Sequence, residues 1–182
     1  LLNLIYKLIQ YILKRKIFSE FRKNKNSIIP NTTKIGNYTS SIISADGVIN
    51  FGEKIEIRNN CSFVVGKNAK LDIAESFFMN NSCSINCLEK IEIGENTLFG
   101  ESVKLYDHNH QYSKEKIEHK KFNTSPIKIG KNCWLGSNVI VLKGVEIGNN
   151  CVIGAGCIIY KNIPAGSVVI NNQELMIKNQ KE

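Results

Sequence analysis

The stretch that decides the fold runs from Ile129 to Ile159 and reads IGKNCWLGSNVIVLKGVEIGNNCVIGAGCII. An α-helix repeats about every 3.6 residues and a strand every two, but here an aliphatic residue recurs at every sixth position. A backbone that turns a corner every six residues accounts for this period, with one aliphatic side chain per side pointing inward. The sequence therefore predicts a solenoid. Glycine follows four of the six members of the ladder, which are Ile129, Leu135, Val141, Ile147, Ile153 and Ile159.

The same frame continues toward the N-terminus beyond an interruption. Residues 106 to 128 break the pattern without shifting its phase, since three earlier members stand at multiples of six from Ile129: Ile93, Phe99 and Leu105. An insertion that preserves the frame predicts a loop extruded from one corner, and such loops commonly carry function. Further back the spacing slips by two residues around 63 to 81, so we expect irregular early coils; the weaker members are Ile35, Phe51 and Val65.

Length and cysteine usage fit a single reduced domain. With 182 residues and a hydrophobic fraction of 42%, the chain can form one domain with a complete core. Cys133, Cys151 and Cys157 each stand two residues before a ladder member, where a coil needs a small inward side chain, so we expect them in the core. No cysteine spacing matches a bridged secreted scaffold or a Cys-x-x-Cys site. This predicts reduced thiols in a cytosolic protein.

Positive charge is concentrated at the N-terminus. The chain carries a net charge of +8, and residues 1 to 26 hold seven basic residues against Glu20 alone. The remainder of the chain is therefore only mildly basic. Because the solenoid lacks the excess of lysine and arginine that is typical of nucleic-acid binding, we expect no nucleic-acid partner.

The N-terminal arm, 1–26, is predicted to form an amphipathic basic helix. Its apolar positions recur at helical spacing, at Leu1, Leu4, Ile5, Leu8, Ile9, Ile12 and Leu13. The apolar stretch is shorter than the roughly 20 residues of a bilayer span, and no signal cleavage site follows it. Two interpretations remain open. The stripe contacts an anionic membrane surface, or it packs on the open end of the solenoid or on a neighbouring subunit. We expect the solenoid domain to occupy 27–170 and a tail to occupy 171–182.

Histidines cluster at the interruption. The chain leaves the frame through LYDHNH at 105–110, which places His108 and His110 at the exit of a coil. At a free pKa near 6.5, an imidazole can accept a proton from a hydroxyl or an amine and return it to a leaving group. A metal site is the competing interpretation, but the histidine spacing matches no familiar ligand pattern.

Three segments carry a family resemblance. The run PIKIGKNCWLGSN at 126–138, with GVEIG at 144–148 and IGAG at 153–156, resembles the hexapeptide-repeat acyltransferases. Within them it is similar to the galactoside, maltose and capsular or lipopolysaccharide O-acetyltransferases, over about residues 78–165. The resemblance implies an all-β, left-handed parallel β-helix that assembles as a homotrimer. It also implies acetyl-CoA as co-substrate, bound between adjacent subunits, and no metal.

The family's catalytic residues carry over to this chain one by one. The catalytic histidine of the sugar acetyltransferases lies 24 residues before the tryptophan of their Trp-Ile-Gly motif; with Trp134 as that tryptophan, the resemblance implies His110 as general base. His108 is the alternative. Asp107, Asn109 or a backbone carbonyl would hold the other ring nitrogen. The backbone N–H of Ser137 matches the donor that faces the thioester oxygen.

The implied binding residues come from the same resemblance. Asn80 matches an asparagine that contacts the acceptor, although a corner turn would equally explain it. Trp134 is expected to line the cleft between acceptor and cofactor, or to pack at a corner. Asp107 is also expected beside the acceptor. The remaining cofactor positions are Ala155 along the pantetheine arm, Lys161 near the phosphates, and Lys178, which stands where the family's Gly-x-Pro-Ala-Lys motif is absent.

The sequence therefore predicts an acetyl-CoA-dependent O-acetyltransferase that acts on a sugar hydroxyl by direct attack. The expected setting is the synthesis of a surface polysaccharide such as capsule, O-antigen or exopolysaccharide, in the cytoplasm or at the inner face of the cytoplasmic membrane. Three alternatives remain: an amino-sugar N-acetyltransferase, a zinc enzyme of the γ-carbonic anhydrase type, and a non-catalytic trimeric scaffold.

Overall fold

The computed structural model describes residues 2–173 and shows a three-sided parallel β-solenoid. Sheet A consists of β3 (Val48–Phe51), β6 (Lys70–Ile73), β9 (Lys90–Ile93), β14 (Ile127–Ile129) and β17 (Glu146–Ile147). Sheet B consists of β1 (Lys34–Ile35), β4 (Glu56–Ile57), β7 (Phe78–Met79), β10 (Leu98–Phe99), β15 (Trp134–Leu135), β18 (Val152–Ile153) and β20 (Val168–Val169). Sheet C consists of β2 (Ser40–Ile43), β5 (Ser62–Val65), β8 (Ser84–Cys87), β11 (Lys104–Tyr106), β16 (Ile140–Leu142) and β19 (Ile158–Ile159).

The aliphatic ladder forms the core, as the six-residue period predicts. Every one of its members is buried, because alternation along each short strand turns one side chain inward and its neighbour outward. The six cysteines are also buried and unbridged, which confirms the prediction for Cys133, Cys151 and Cys157. Four of the thiols bond to backbone carbonyls of the next coil, those of Cys61, Cys83, Cys133 and Cys151, and the Cys87 thiol bonds to the Lys70 carbonyl of the preceding coil. Cys133 Sγ, for example, lies 3.2 Å from the carbonyl oxygen of Gly148.

The coils shorten along the chain. Ile35 pairs with Ile57 across a 22-residue coil, and Met79 pairs with Phe99 across a 20-residue coil. Beyond the interruption, Leu135 pairs with Ile153 across an 18-residue coil, and the coil from Ile153 to its partner Val169 is shorter again. The early coils thus depart from the six-residue frame, as expected, but their strands pair in continuous register. The step from 22 to 20 residues falls at the turn between Cys87 and Lys90, because Ser62 pairs with Ser84 whereas Lys70 pairs with Lys90.

The interruption is an antiparallel β-hairpin. It consists of β12 (His108–Tyr112) and β13 (Ile117–Thr124), with a register shift between His110 and Gln111. Its neck is closed by the Ser125 N–H, which donates to the carbonyl oxygen of Asp107 at 2.9 Å. The predicted loop thus has a paired backbone of its own, leaving the solenoid where sheet C meets sheet A.

One helix, α1 (Leu2–Phe21), closes the N-terminal end of the core. Phe21 is fully buried and packs edge-on against Phe51 and Phe63, with ring centroids 5.6 and 5.2 Å away. The helix therefore ends five residues before the predicted boundary at residue 26. Within residues 2–173, no helix combines the length and hydropathy that crossing a bilayer requires.

The side of α1 that packs is not the predicted stripe. Its buried residues are Gln10, Ile17 and Phe21, whereas the described members of the stripe are all exposed: Leu4, Ile5, Leu8, Ile9, Ile12 and Leu13. Leu1 lies outside the described residues. The helix thus packs on the open end of the solenoid, as one interpretation holds, but through other side chains.

Candidate functional site

The predicted site residues fall into two groups on the solenoid. The first group lies at the BC corner, the column of turns that lead from each sheet B strand to the following sheet C strand. Asn80 follows β7, Ser137 follows β15 and Ala155 follows β18. Because β7, β10, β15 and β18 are neighbours in sheet B, these three residues lie in one column along the solenoid. The structure therefore brings them together.

An asparagine ladder runs up the earlier part of the BC corner. The side-chain oxygen of Asn59 accepts from the Asn37 N–H at 2.8 Å, and that of Asn81 accepts from the Asn59 N–H at 3.1 Å. Asn80 ends the ladder, since its side-chain oxygen accepts from the Asn81 N–H at 2.8 Å. Asn80 therefore does stabilise a corner turn, which is one of the two roles that the sequence left open for it.

Backbone donors become available where this ladder ends. Within residues 2–173, the N–H groups of Ser137 and Ala155 have no hydrogen-bond acceptor. The coil after Ser137 has an alanine at this position, and in the coil after Ala155 the side chain of Asn171 donates to the carbonyl oxygen of Gly156 at 3.1 Å. Gly100 and Gly136 keep them uncovered. A Cβ at Gly100 would lie 2.7 Å from the Ser137 nitrogen, and one at Gly136 would lie 2.8 Å from the Ala155 nitrogen. Unpaired N–H groups at an exposed corner can bind an anionic or carbonyl oxygen.

Trp134 lies immediately beside these donors. Its side chain is 53% exposed on the outer face of sheet B, in register with Leu98 below and Val152 above. The indole therefore does not fill the core, which leaves it available to a ligand or to another subunit.

The second group lies at the CA corner, where the hairpin leaves sheet C. Asp107 is fully buried, because it occupies the inward position after Leu105. Its carboxylate accepts the N–H groups of the turn after β8, from Leu88 at 2.8 Å, Glu89 at 2.8 Å and Lys90 at 3.1 Å.

The position of the hairpin explains why a carboxylate is needed there. In the preceding coil, the corresponding N–H groups of Gly66 and Lys70 donate to the carbonyl oxygens of Cys87 and Glu89. No coil continues above the turn after β8, because the chain departs into the hairpin, and the Asp107 side chain supplies the acceptors instead. The expectation that Asp107 contacts the acceptor is therefore wrong, since none of its surface is exposed.

His108 is held by the same carboxylate. Its Nδ1 lies 3.1 Å from Oδ1 of Asp107, and its ring packs edge-on against Phe122 with centroids 5.2 Å apart. Asp107 thus orients His108 and not His110. The imidazole is largely buried between the core and the hairpin, with 17% of its side chain exposed.

His110 is held by a backbone carbonyl, one of the three possibilities that the sequence left open. Its Nδ1 lies 3.1 Å from the carbonyl oxygen of Glu118, across the hairpin. Donation from Nδ1 to this oxygen selects the tautomer in which Nε2 carries a lone pair. The ring lies against Phe122, with centroids 4.7 Å apart, and is exposed. An exposed, oriented Nε2 can act as a general base.

The two groups are separated by the width of sheet C. Tyr106 pairs with Leu142, so Asp107 lies level with Lys143, while Ser137 precedes the other end of the same strand. The five steps from residue 138 to residue 143 span about 16 Å at roughly 3.3 Å per residue. The root of the hairpin and Ser137 therefore lie at opposite edges of sheet C in one chain.

The predicted phosphate ligands are divided as well. Lys161 is exposed and follows β19 of sheet C, so it lies at the CA corner and not beside Ala155. Lys178 lies outside the described residues. Within residues 2–173, no group of three histidine, cysteine, aspartate or glutamate side chains could hold a metal ion.

Sequence reasoning missed several participants in the site. Phe122, which contacts both histidines, lies within the hairpin, and the carbonyl oxygen of Glu118 depends on how that hairpin pairs. The burial of Asp107 did have a sequence signal. Side chains alternate along a strand, so the inward position of Leu105 predicts that the side chain at position 107 also points into the core.

Comparisons with known proteins agree with this architecture. A family model described as the hexapeptide repeat of succinyl-transferase matches residues 126–161. Nodulation protein L of Rhizobium leguminosarum bv. viciae is 39% identical over 126 residues, 69% of this chain and 64% of that protein. The putative lipopolysaccharide biosynthesis O-acetyl transferase WbbJ of Escherichia coli K12 is 31% identical over 119 residues, 56% of this chain and 57% of that protein. The matches thus span between half and two thirds of these relatives.

A solved structure shows the same likeness. Galactoside acetyltransferase in complex with coenzyme A superposes with a TM-score of 0.50 at 26% identity, over 75% of this chain and 56% of that one. The six-residue period, the three-sided parallel coils and the matched repeat agree with one another. This chain belongs to the hexapeptide-repeat acyltransferase superfamily.

Proposed function

We propose that this protein is an acetyl-CoA-dependent O-acetyltransferase that acts on a sugar hydroxyl. The observation that carries the proposal is the exposed imidazole of His110, whose Nδ1 is fixed by the Glu118 carbonyl oxygen. The activities of two similar proteins support the proposal. One is a putative O-acetyl transferase of lipopolysaccharide biosynthesis, and the other is a galactoside acetyltransferase in complex with coenzyme A. We assign the acceptor to a surface polysaccharide pathway in the cytoplasm, where acetyl-CoA is available.

In the proposed reaction, Nε2 of His110 accepts the proton of the acceptor hydroxyl as its oxygen attacks the thioester carbonyl carbon. The new C–O bond gives a tetrahedral oxyanion, which the Ser137 N–H stabilises. The C–S bond then breaks, and the imidazolium returns its proton to the leaving thiolate. No acyl-enzyme is needed. Because the Ser137 donor is a main-chain group, the serine side chain itself is dispensable in this scheme.

The BC corner suits the pantetheine arm of acetyl-CoA. The N–H groups of Ser137 and Ala155 are uncovered and stand one coil apart, about 5 Å along the solenoid. An extended arm with amide and thioester oxygens can accept from both. Trp134 offers an exposed apolar face beside them. We assign Lys178 to the phosphates, together with Lys161 from the CA corner of a second subunit, since ammonium groups bind phosphates as point charges.

We further propose that each site is shared by two subunits of a homotrimer. The separation of about 16 Å between the two corners of one chain supports this proposal. Three copies arranged around an axis would let the CA corner of one solenoid approach the BC corner of the next. Each site would then combine His110 of one subunit with Ser137, Ala155 and Trp134 of its neighbour.

We place Asn80 beside the acceptor in this shared site. Its side-chain oxygen is occupied by the Asn81 N–H, so the amide nitrogen is the group that remains to donate to a sugar hydroxyl. It lies in the same column as Ser137, two coils closer to the N-terminus, about 10 Å away. That distance suits a sugar ring between the two residues.

Two measurements test the proposed function. Calorimetry of the intact chain should show acetyl-CoA binding, and release of free coenzyme A thiol should depend on an added sugar. A panel of sugars matched in pairs, with a hydroxyl or an amine at the same carbon, separates O-acetylation from N-acetylation. Acetyl-CoA binding without transfer to any sugar would favour a scaffold. Preference for the amine member of each pair would contradict the O-acetyltransferase assignment.

A further inference from the structure

Helix α1 presents two apolar surfaces on roughly opposite sides. At about 100° per residue, Gln10, Ile17 and Phe21 face one direction, toward the solenoid. Most of the stripe faces the other direction: Leu4, Ile5, Leu8, Ile9 and Ile12 do so, whereas Leu13 lies at the edge of the groove between the helix and the solenoid. The first buried residue of the helix is Gln10, and every side chain of residues 2–9 is exposed, although the phenol of Tyr6 lies beside Tyr38 of the solenoid. Exposed leucine and isoleucine at this density mark an interaction surface.

Basic side chains lie at the end of the exposed stripe that is nearer the solenoid. Arg15 stands seven residues after Leu8, and Lys16 stands seven residues after Ile9. Seven residues are about two helical turns, so both cations lie on the same face as the stripe, nearer the solenoid. Lys7 and Lys14 lie on the other side of the helix, about 40 to 60° from Gln10, on the side that faces the solenoid. Among the described residues, none of these four cations pairs with a carboxylate. By contrast, Lys23 and Arg22 contact the body of the chain.

The positions of the cations argue against a second copy as the partner of the stripe. In a homotrimer whose three copies of α1 run in parallel along the threefold axis, residues at the same level meet, so Arg15 and Lys16 would face their own copies at the end of an apolar seam. Like charges in contact are unfavourable. At a lipid surface, the same side chains extend their heads to anionic headgroups while their stems lie along the apolar face.

We propose that α1 is an interfacial anchor that holds the solenoid on the surface of an anionic bilayer. The stripe enters the boundary between headgroups and acyl chains, and Arg15 and Lys16 contact lipid phosphates. The exposed phenol of Tyr11 suits the same boundary, since it has an apolar ring and a polar tip. This inference is independent of the proposed acetyl transfer, because it uses none of the site residues.

Flotation of the intact chain with vesicles tests the anchor. The chain should float with vesicles of equal parts phosphatidylcholine and phosphatidylglycerol, and raising NaCl from about 0.05 to 0.5 M should release most of it. Leu8→Glu should lower the partition coefficient about tenfold or more, because it places a charge in the stripe. Ile170→Glu is the matched control: it makes the same charge change at an exposed position near the other end of the solenoid and should float like the unchanged chain.

Sedimentation of the same variants distinguishes the anchor from a subunit contact. The anchor predicts that Leu8→Glu leaves the oligomeric state unchanged while it lowers vesicle binding. If Leu8→Glu instead dissociates the oligomer and leaves vesicle binding unchanged, the stripe packs on a second copy and the anchor is wrong. Failure of the intact chain to float with anionic vesicles at low salt overturns the proposal directly.

Discussion

The carboxylate of Asp107 connects the imidazole of His108 to the turn after β8. One oxygen lies 3.1 Å from Nδ1 of His108, and the same carboxylate accepts three backbone N–H groups of residues 88–90. The root of the hairpin that carries His110 is therefore attached to the solenoid through one buried side chain. Its position relative to the core depends on this attachment.

Asp107→Asn should destabilise the protein. An amide retains one acceptor oxygen and turns an NH2 group toward backbone donors, so at least one buried N–H loses its partner. Hydrogen bonds to a charged group contribute about 1.5 to 3 kcal/mol each, and we expect the free energy of unfolding to fall by about 2 to 4 kcal/mol. Unfolding in urea measures this change in the free energy of unfolding. Asp46→Asn is the control, because Asp46 is exposed at the same corner in an earlier coil; equal midpoints for both variants would contradict the role of Asp107.

His110→Ala should lower kcat by about 10² to 10⁴ while the Kd for acetyl-CoA stays unchanged. The reason is that the imidazole acts on the acceptor proton and not on the thioester. His108→Ala should cost less, because its Nδ1 is held by Asp107 and its ring is largely buried. Stopped assays of thiol release, with calorimetry for binding, separate the two effects. If the His108 variant is inactive and the His110 variant is not, His108 is the base.

Mixed trimers should reveal a shared site. His110→Ala removes the base, and Ala155→Trp blocks the proposed pantetheine path, so each variant alone should be inactive. Random trimers from equal amounts of the two should recover about a quarter of the unchanged activity, since one interface in four pairs an intact base with an intact corner. Co-expression with two affinity tags, followed by assays, measures this recovery. No recovery in trimers shown to be mixed would place both halves within one chain.

Phe21→Ala should destabilise the N-terminal coils. Phe21 is fully buried between Phe51 and Phe63, and truncating a core phenylalanine costs about 3 to 5 kcal/mol. Tyr11→Ala removes an exposed ring from the same helix and should change the stability by less than about 0.5 kcal/mol. Thermal unfolding of the two variants compares their stabilities with that of the unchanged chain. For the same reason, deleting residues 1–26 should destabilise the fold, whereas deleting 1–9 should not.

Stability should decrease at alkaline pH. Burial raises the pKa of the thiols of Cys87, Cys133 and Cys157 above the ordinary value. The folded chain therefore retains protons that the unfolded chain releases above about pH 8.5. The stabilisation is complete below that pH and is lost as the pH rises. Urea midpoints from pH 7 to 10 measure the slope, and Cys87→Ala should reduce it. A Cys87→Ala slope equal to that of the unchanged chain would contradict this account.

The solenoid and its core were predictable from the sequence alone. The ladder from Ile129 to Ile159 is a local signal, because each inward side chain lies six residues from the next and the repeat recurs whatever the neighbouring coils contain. Cys133, Cys151 and Cys157 follow from the same frame. The early coils were harder, because their length is not a multiple of six and their strands can be recognised only when Ile35 is seen beside Ile57.

Tertiary structure decided the contacts of the site and the orientation of α1. Asp107 binds a turn that belongs to the preceding coil of the chain, and the separation of His110 from Ser137 depends on which edge of sheet C each residue occupies. The sequence determined that α1 has an apolar stripe. Only the packing of Phe21 on Phe51 and Phe63 determined that the stripe faces away from the solenoid, because an amphipathic pattern states which side chains share a face and not what that face meets.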